Sequence, residues 1–347
     1  MDTRFNKKIL LIIISLSSLL ILVFIVDLFL GSVKIPFKEI LKILVSGESE
    51  NQIWLTIIYD FRLPKAITAV LAGAALSVSG LQMQTIFRNP LAGPYVLGIS
   101  AGASLGVAIL VLGFSSWFTN QAVHYFGNWA QVISAWIGAG LVLFLILAVS
   151  MRVQDIMTIL ILGILFGSAT SAIVSIFQYF SHQSMLKAFV IWSMGSLGNL
   201  SKGQLNILIP CIIAGLILSL LFSKILNVLL LGETYARSLG VNIKFARVML
   251  FISTSILAGS ITAFCGPIGF IGIAVPHIVR IITKSANHYY LIPGSILSGA
   301  IVLLISDIIS LLPGSDSILP VNSVTALLGI PIVIWIIIKN KKIASLG

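Results

Sequence analysis

Charge is scarce in this chain. Asp, Glu, Lys and Arg together make up 9% of its 347 residues, against about 25% in a soluble globular domain. So few polar side chains cannot cover the surfaces of the two ordinary domains that this length allows, which excludes a soluble enzyme. Disorder is excluded as well, because 58% of the residues are hydrophobic. Cysteine is nearly missing: Cys211 and Cys265 each sit in an apolar run, with no CxxC partner and no His at ligand spacing. That excludes a disulfide scaffold and a zinc site and makes both small core residues. No G-x-x-x-x-G-K-[ST] loop is present to hold nucleotide phosphates. Acids inside apolar runs are limited to Asp27 and Asp307. No paired acids, His-x-x-x-His or nucleophile–base spacing marks an intramembrane enzyme.

What the chain does have is long uncharged stretches and a mean hydropathy of +1.12. A membrane helix needs about 20 residues, and ten such runs follow one another. They are Ile9 to Leu30, Ala66 to Phe87, Pro94 to Phe118, Trp129 to Met151, Ile156 to Ser181 and Gly203 to Ser223, then two halves of Val248 to Val279, and finally Pro293 to Leu312 and Asn322 to Ile338. The Val248 to Val279 run is longer than one span needs, and Gly266-Pro267 breaks it. The first run follows a basic start, exceeds the apolar part of a signal peptide and lacks a small-x-small cleavage site, so it reads as a retained span. The expected fold is all-α and polytopic: ten transmembrane helices in one membrane domain over 1–347, with no room for a soluble domain.

Net charge is +11. No RNA- or DNA-binding pattern accompanies it, so nucleic acid is not an expected partner. Retention of basic residues in cytoplasmic loops explains the excess. With a cytoplasmic N-terminus, the inner side holds 14 of the 21 Lys and Arg. The outer side holds Lys34, Lys38, Lys42, Arg62, Lys65, Lys187 and Lys202. Both termini are then cytoplasmic. Two connectors are more than turns. Residues 185–199 suit a short helix on the outer surface. Residues 224–247 form the longest inner loop, in which Glu233 to Leu239 suits a short helix ended by Gly240, with Asn242 capping the next. By itself this loop reads equally as a docking surface or a solvated connector. Small residues at four-residue spacing (Gly98, Gly102, Gly106; Gly163, Gly167; Ser255, Gly259, Ala263) mark close helix packing.

One ordered set of motifs runs through nearly the whole chain: Arg62-Leu-Pro-Lys65, Ala72-Gly-Ala-Ala-Leu-Ser-Val-Ser-Gly80, Arg88-Asn-Pro-Leu-Ala-Gly-Pro94, Leu97-Gly-Ile-Ser-Ala-Gly-Ala103, Leu231-Gly-Glu-Thr-Tyr-Ala-Arg-Ser-Leu-Gly-Val241, Gly266 to Arg280, Pro293-Gly, Asp307 and Leu328-Gly-Ile-Pro331. The set resembles the permease subunit of ABC importers for iron-siderophore, haem and cobalamin. The resemblance implies a second permease subunit forming a homodimer, two cytoplasmic ATPase subunits carrying ATP and Mg, and an external substrate-binding protein. No cofactor or metal is expected in this chain, and no catalysis. The resemblance also turns the inner loop into a coupling element for the ATPase, carried by Gly232, Glu233, Ala236, Arg237, Leu239 and Gly240.

Other residues follow from the same resemblance. Arg62 and Lys65 match a basic pair that faces acids of the binding protein, a reading preferred to that of snorkelling anchors. Asn89 and Leu91 match a loop that helps close the pathway on the cytoplasmic side, or else form an ordinary turn. Gly93 stands where many relatives have an acid, and Asp316 stands in a region expected to offer a base. Asp307 is expected to hold a hydrogen bond inside the bundle and, second, to contact substrate. Arg280 is expected to lie too far away to pair with it. His124, His182, His277 and His288 are read as unremarkable. An ion-coupled carrier driven through Asp307 is the alternative function. The residues do not choose among siderophore, haem and cobalamin.

Overall fold

The computed structural model describes residues 3–31, 33–49, 51–113, 129–153, 155–311 and 318–344. Within them the regular structure is helical throughout: α1 Thr3–Phe29, α2 Phe37–Ser46, α3 Gln52–Ile86, α4 Ile99–Gly113, α5 Trp129–Arg152, α6 Ile156–Phe180, α7 Gln183–Ser193, α8 Lys202–Leu221, α9 Ser223–Leu230, α10 Glu233–Ser238, α11 Ile243–Cys265, α12 Ile271–Thr283, α13 His288–Ser310 and α14 Val321–Ala344. A 3-10 turn, Pro94–Leu97, precedes α4. Seven described helices are long and apolar enough to cross a bilayer: α1 from Lys7, α3, α5, α6, α8, α11 and α13. The other three apolar runs fall on the shorter helices α4, α12 and Val321–Ile336 of α14. The protein is therefore a polytopic helical membrane protein.

The core is built on α3. From Ala66 to Ile86 almost every residue is buried, and the segment is largely Ala, Gly and Ser. Lipid gives no hydrophobic drive for helix association, so close backbone approach must supply the attraction. Gly73 meets Gly299 of α13 so closely that a methyl group on either would collide with the other's carbonyl. Gly80 meets the Gly272 carbonyl of α12 in the same way. A second seam joins α4 to α5, Gly102 against Gly138 and Gly106 against Ser134. Two buried amides lock the rest. Gln82 donates to Ser219 (2.7 Å) and Ser253 (3.0 Å) and accepts from Thr254 (2.8 Å), joining α3, α8 and α11. Gln84 accepts from Arg280 at 2.6 Å and donates to the Ile273 carbonyl at 3.1 Å, joining α3 to α12.

One boundary differs from the sequence reading and one agrees. The long helix α3 begins at Gln52, although Asp60, Arg62 and Lys65 delimit the apolar run. Asn51 caps it, accepting from the Ile53 amide at 3.0 Å, and each of the three charges has a partner described below. The helix also widens to π geometry over Ile57–Arg62. The break after Cys265 falls where Gly266-Pro267 puts it. Its backbone turns through Gly266 (φ 74) and Phe270 (φ 66). The following α12 has 13 residues, or about 20 Å, less than the ~30 Å of a hydrocarbon core. The irregular segment therefore lies at membrane depth, where its polar backbone needs protein partners. It finds them: the Ile268 carbonyl accepts from Tyr95 Oη at 2.8 Å, the Gly269 amide donates to Asn322 at 2.8 Å, and the Cys265 carbonyl accepts from the Ser196 amide at 2.7 Å.

Candidate functional site

At the end of the bundle where α1 finishes, a cavity of about 650 Å³ opens between α1, α3, α13 and the segments around Met194–Asn199 and Ile318–Val321. Asp27, Arg62, Lys65 and Asp307 line it. Arg62, only 8% exposed, faces inward. Its guanidinium donates to the carbonyls of Leu28 (2.8 Å), Phe29 (3.2 Å) and Val33. It thus caps the C-terminus of α1, where unsatisfied carbonyls favour a cation. Lys65 Nζ lies 2.9 Å from Asp307 Oδ2, with side-chain exposures of 19% and 1%. Asp27 reaches into the same cluster beside Asp307, and its Oδ1 is buried without a donor. Asp60 is paired outside the cavity with Lys202, at 2.6 Å.

The basic pair expected to face a binding protein has partners inside the chain. Arg62 is spent on α1. Lys65 is spent on Asp307 but still borders the cavity. The sequence ranked a structural role for Asp307 first, and the structure supplies the partner that sequence reasoning missed. The signal was available: Lys65 and Asp307 both stand at the outer ends of their spans, and a buried carboxylate requires a cation. Arg280 pairs with Gln84 instead.

The opposite end carries the 224–247 loop, in which a coupling element was expected. Gly232 (φ 116) and Gly240 (φ 82) bracket α10 in conformations that side chains resist. Ala236 is fully buried beneath it. Glu233 does not pair with Arg237 four residues on. It takes both oxygens to Arg247 of α11, at 2.6 and 2.7 Å, which fixes the loop to the bundle. Arg237 is left exposed. Tyr235 (52% exposed) and Leu239 (56%) lie a turn apart beside it, and Leu231 (65%), just before Gly232, is exposed as well. Of these the sequence reading named only Leu239; the i, i+4 spacing would have found Tyr235.

The Arg88–Pro94 turn is attached to this loop. The Arg88 guanidinium points at the Leu229 carbonyl (3.4 Å) and covers Gly232. Asn89 accepts from the Leu91 amide at 2.9 Å, so its side chain builds the turn. Leu91 stays exposed. His277 bonds the Pro90 carbonyl at 2.9 Å. Nearby, fully buried His288 bridges Asn227 of α9 (2.8 Å) to Thr85 of α3 (2.8 Å). Asp155 caps α6. The Thr158 hydroxyl and the amides of Thr158 and Met157 hold its carboxyl below the usual range. His182 occupies the cap position of α7. His124 and Asp316 lie outside the described residues. Among the described residues no three His, Cys, Asp or Glu side chains converge as a metal site.

Residues 19–339 match the FecCD transport family. The hemin transport system permease protein HmuU of Yersinia pestis is 35% identical over 315 residues, covering 90% of this chain and 91% of that protein. The vitamin B12 import system permease protein BtuC of Salmonella newport is 36% identical over 286 residues, 82% of this chain and 84% of that one. Among solved structures, an inward-facing conformation of a metal-chelate type ABC transporter superposes with a TM-score of 0.81 at 27% identity, covering 94% of this chain and 99% of the other.

Proposed function

The chain belongs to the FecCD transport family, and from that premise we propose that it is the membrane-spanning subunit of an ATP-driven importer. Its cargo is an iron complex, siderophore or haem, or a cobalamin, handed over by a substrate-binding protein at the end where α1 finishes. Two copies of the chain enclose the pathway, and two cytoplasmic ATPase subunits, holding ATP and Mg, bear on the α10 loop at the other end. Both termini lie on the ATPase side, as the bias of basic residues requires.

The observation that carries this reading is the construction of α10. A surface connector has no need of buried Ala236, two glycines at positive φ and a buried-side ion pair to α11, yet it leaves Leu231, Tyr235, Leu239 and Arg237 exposed. A rigid element with exposed apolar side chains and one cation is suited to docking. Displacement of α10 would pull on α11 through Glu233–Arg247, on the Asn89–Leu91 turn through Arg88, and on α3 and α13 through Asn227–His288–Thr85. These contacts give a mechanical route from ATP hydrolysis to closure of the pathway. Lys65, which borders the cavity, serves docking by receiving an acid of the binding protein while it stays paired with Asp307. Asp307 already has a countercharge, so no observation favours ion-coupled transport through it.

The reading is tested in liposomes. Purified chain alone should hydrolyse no ATP. The chain assembled with its ATPase and binding protein should hydrolyse ATP and accumulate substrate. Turnover by the chain alone, or uptake without the ATPase, would refute it. Within the complex, Arg237→Glu should leave assembly intact and reduce substrate accumulated per ATP about tenfold, the effect of losing ~1.4 kcal/mol of coupling. An unchanged ratio would remove Arg237 from the coupling surface.

A further inference from the structure

The sequence left Lys34, Lys38 and Lys42 without a role beyond lying outside, and neither candidate site uses them. All three are exposed, the first just before α2 and the others on it. At 3.6 residues per turn, successive side chains are about 100° apart, and α2 divides into sectors. Ile40 and Ile43, both fully buried, pack with Ile35 and Ile58 in a small core against the start of α3. Next around the helix come Phe37, Leu41 and Val45, which are 59%, 40% and 87% exposed. Lys38 and Lys42 follow. Glu39 lies beyond the lysines, where it accepts from Ser49 at 3.3 Å.

The level of α2 is fixed by its contacts. Phe37 stacks on Phe29, the last residue of α1, with ring centroids 4.5 Å apart. The Ile43 carbonyl accepts from Tyr59 Oη at 2.8 Å. Tyr59 stands one turn before Arg62, which itself binds the last carbonyls of α1. The helix therefore lies within about a turn, roughly 5 Å, of the level where the span ends. The outward face of α1 is mostly large aliphatic (Leu10, Leu11, Ile14, Leu19, Ile21, Leu22 and Val26), with Ser18 and with Ser15, whose hydroxyl donates back to the Ile12 carbonyl at 2.8 Å, among them. A face with so little polarity suits lipid. The Phe37 ring on Phe29 brings the ridge of α2 to the end of that helix.

We propose that α2 is an in-plane membrane anchor, its Phe37–Leu41–Val45 ridge seated among acyl chains and its Lys38 and Lys42 on the phosphates of anionic lipids. The order of sectors (protein core, exposed apolar ridge, lysines) is that of a helix lying at the boundary between headgroups and chains. Long lysine stems reach upward from that depth while keeping their ammonium groups with the phosphates. The anchor pins the loop between α1 and α3, and with it the cavity wall formed by Leu30, Gly31 and Val33. It does not depend on which substrate the importer carries.

The test uses the full chain in nanodiscs, with Cys211→Ala and Cys265→Ala and a bimane attached at Val45→Cys. Brominated acyl chains should quench the dye about twofold, aqueous iodide should hardly quench it, and phosphatidylglycerol should shift its emission further to the blue than phosphatidylcholine does. Adding Lys38→Gln and Lys42→Gln should abolish the difference between the two lipids, while Phe37→Ser with Leu41→Ser should expose the dye to iodide. Iodide quenching in the parent would show a solvated face and overturn the proposal. So would protection only when a binding protein is added, or disulfide formation between position 45 of two copies, either of which would show a protein partner on this face.

Discussion

Lys65 and Asp307 illustrate why residue type and position do not settle a role. The carboxylate is 1% exposed and the ammonium 19%, so the two partners do not suffer equally when separated. Lys65→Met strands a buried charge and should destabilise the protein by about 3–5 kcal/mol. Asp307→Asn leaves a lysine at the edge of a cavity, where it can find water, and should cost much less, about 1 kcal/mol. Thermal unfolding in detergent of the two variants measures the asymmetry, and equal losses would contradict it. If Lys65 also receives an acid of the binding protein, Asp307→Asn should speed that association at low salt and lose the advantage at high salt. Arg62 is a poorer probe of docking: it is buried, and Arg62→Glu would remove the cap of α1. The sequence placed both basic residues at the start of the apolar run, where it expected the helix to begin; α3 in fact continues through them, because α1 and α13 arrive there with acceptors.

Among elements, glycines of similar spacing have different duties. Gly80 sits against the backbone of α12, and a side chain there cannot be accommodated by a rotamer change. Gly167 meets only the Ala101 Cβ and Gly98 Cα at 3.9 Å, an ordinary contact. Gly80→Val should therefore destabilise by about 3 kcal/mol or more, seen as loss of monodisperse protein on size exclusion. Gly167→Ala should change stability by about 0.5 kcal/mol or less, with better helix propensity partly offsetting any crowding. Comparable losses at both sites would mean that the crossing of α3 and α12 is looser than described. The four-residue rule found the α4 seam at Gly102 and Gly106, but not the crossings at Gly73 and Gly80, which are seven residues apart. Helix α10 was legible to within a residue because its limits are local: Gly240 stops it, and Asn242 starts the next helix. The start of α3 was not, because the charges that end an apolar run end a helix only when they lack partners.

For the whole molecule, the sequence by itself determined the environment and the order of helices. Scarce charge forces a membrane protein, and apolar runs separated by polar turns give each helix its place, since every run must satisfy its backbone internally. The order of motifs gave the family. What only the tertiary structure decided is which polar groups meet. Arg62 with the carbonyls of α1, Lys65 with Asp307, Glu233 with Arg247, and Gln82 with Ser219, Ser253 and Thr254 all join residues far apart in the chain. The depth of the Gly266–Phe270 break was likewise set by Tyr95, Asn322 and Ser196. The reason is physical: hydrophobic burial depends on amount and periodicity, which a single segment displays. A hydrogen bond or ion pair in an apolar interior instead depends on the distance and direction of a partner that another segment supplies.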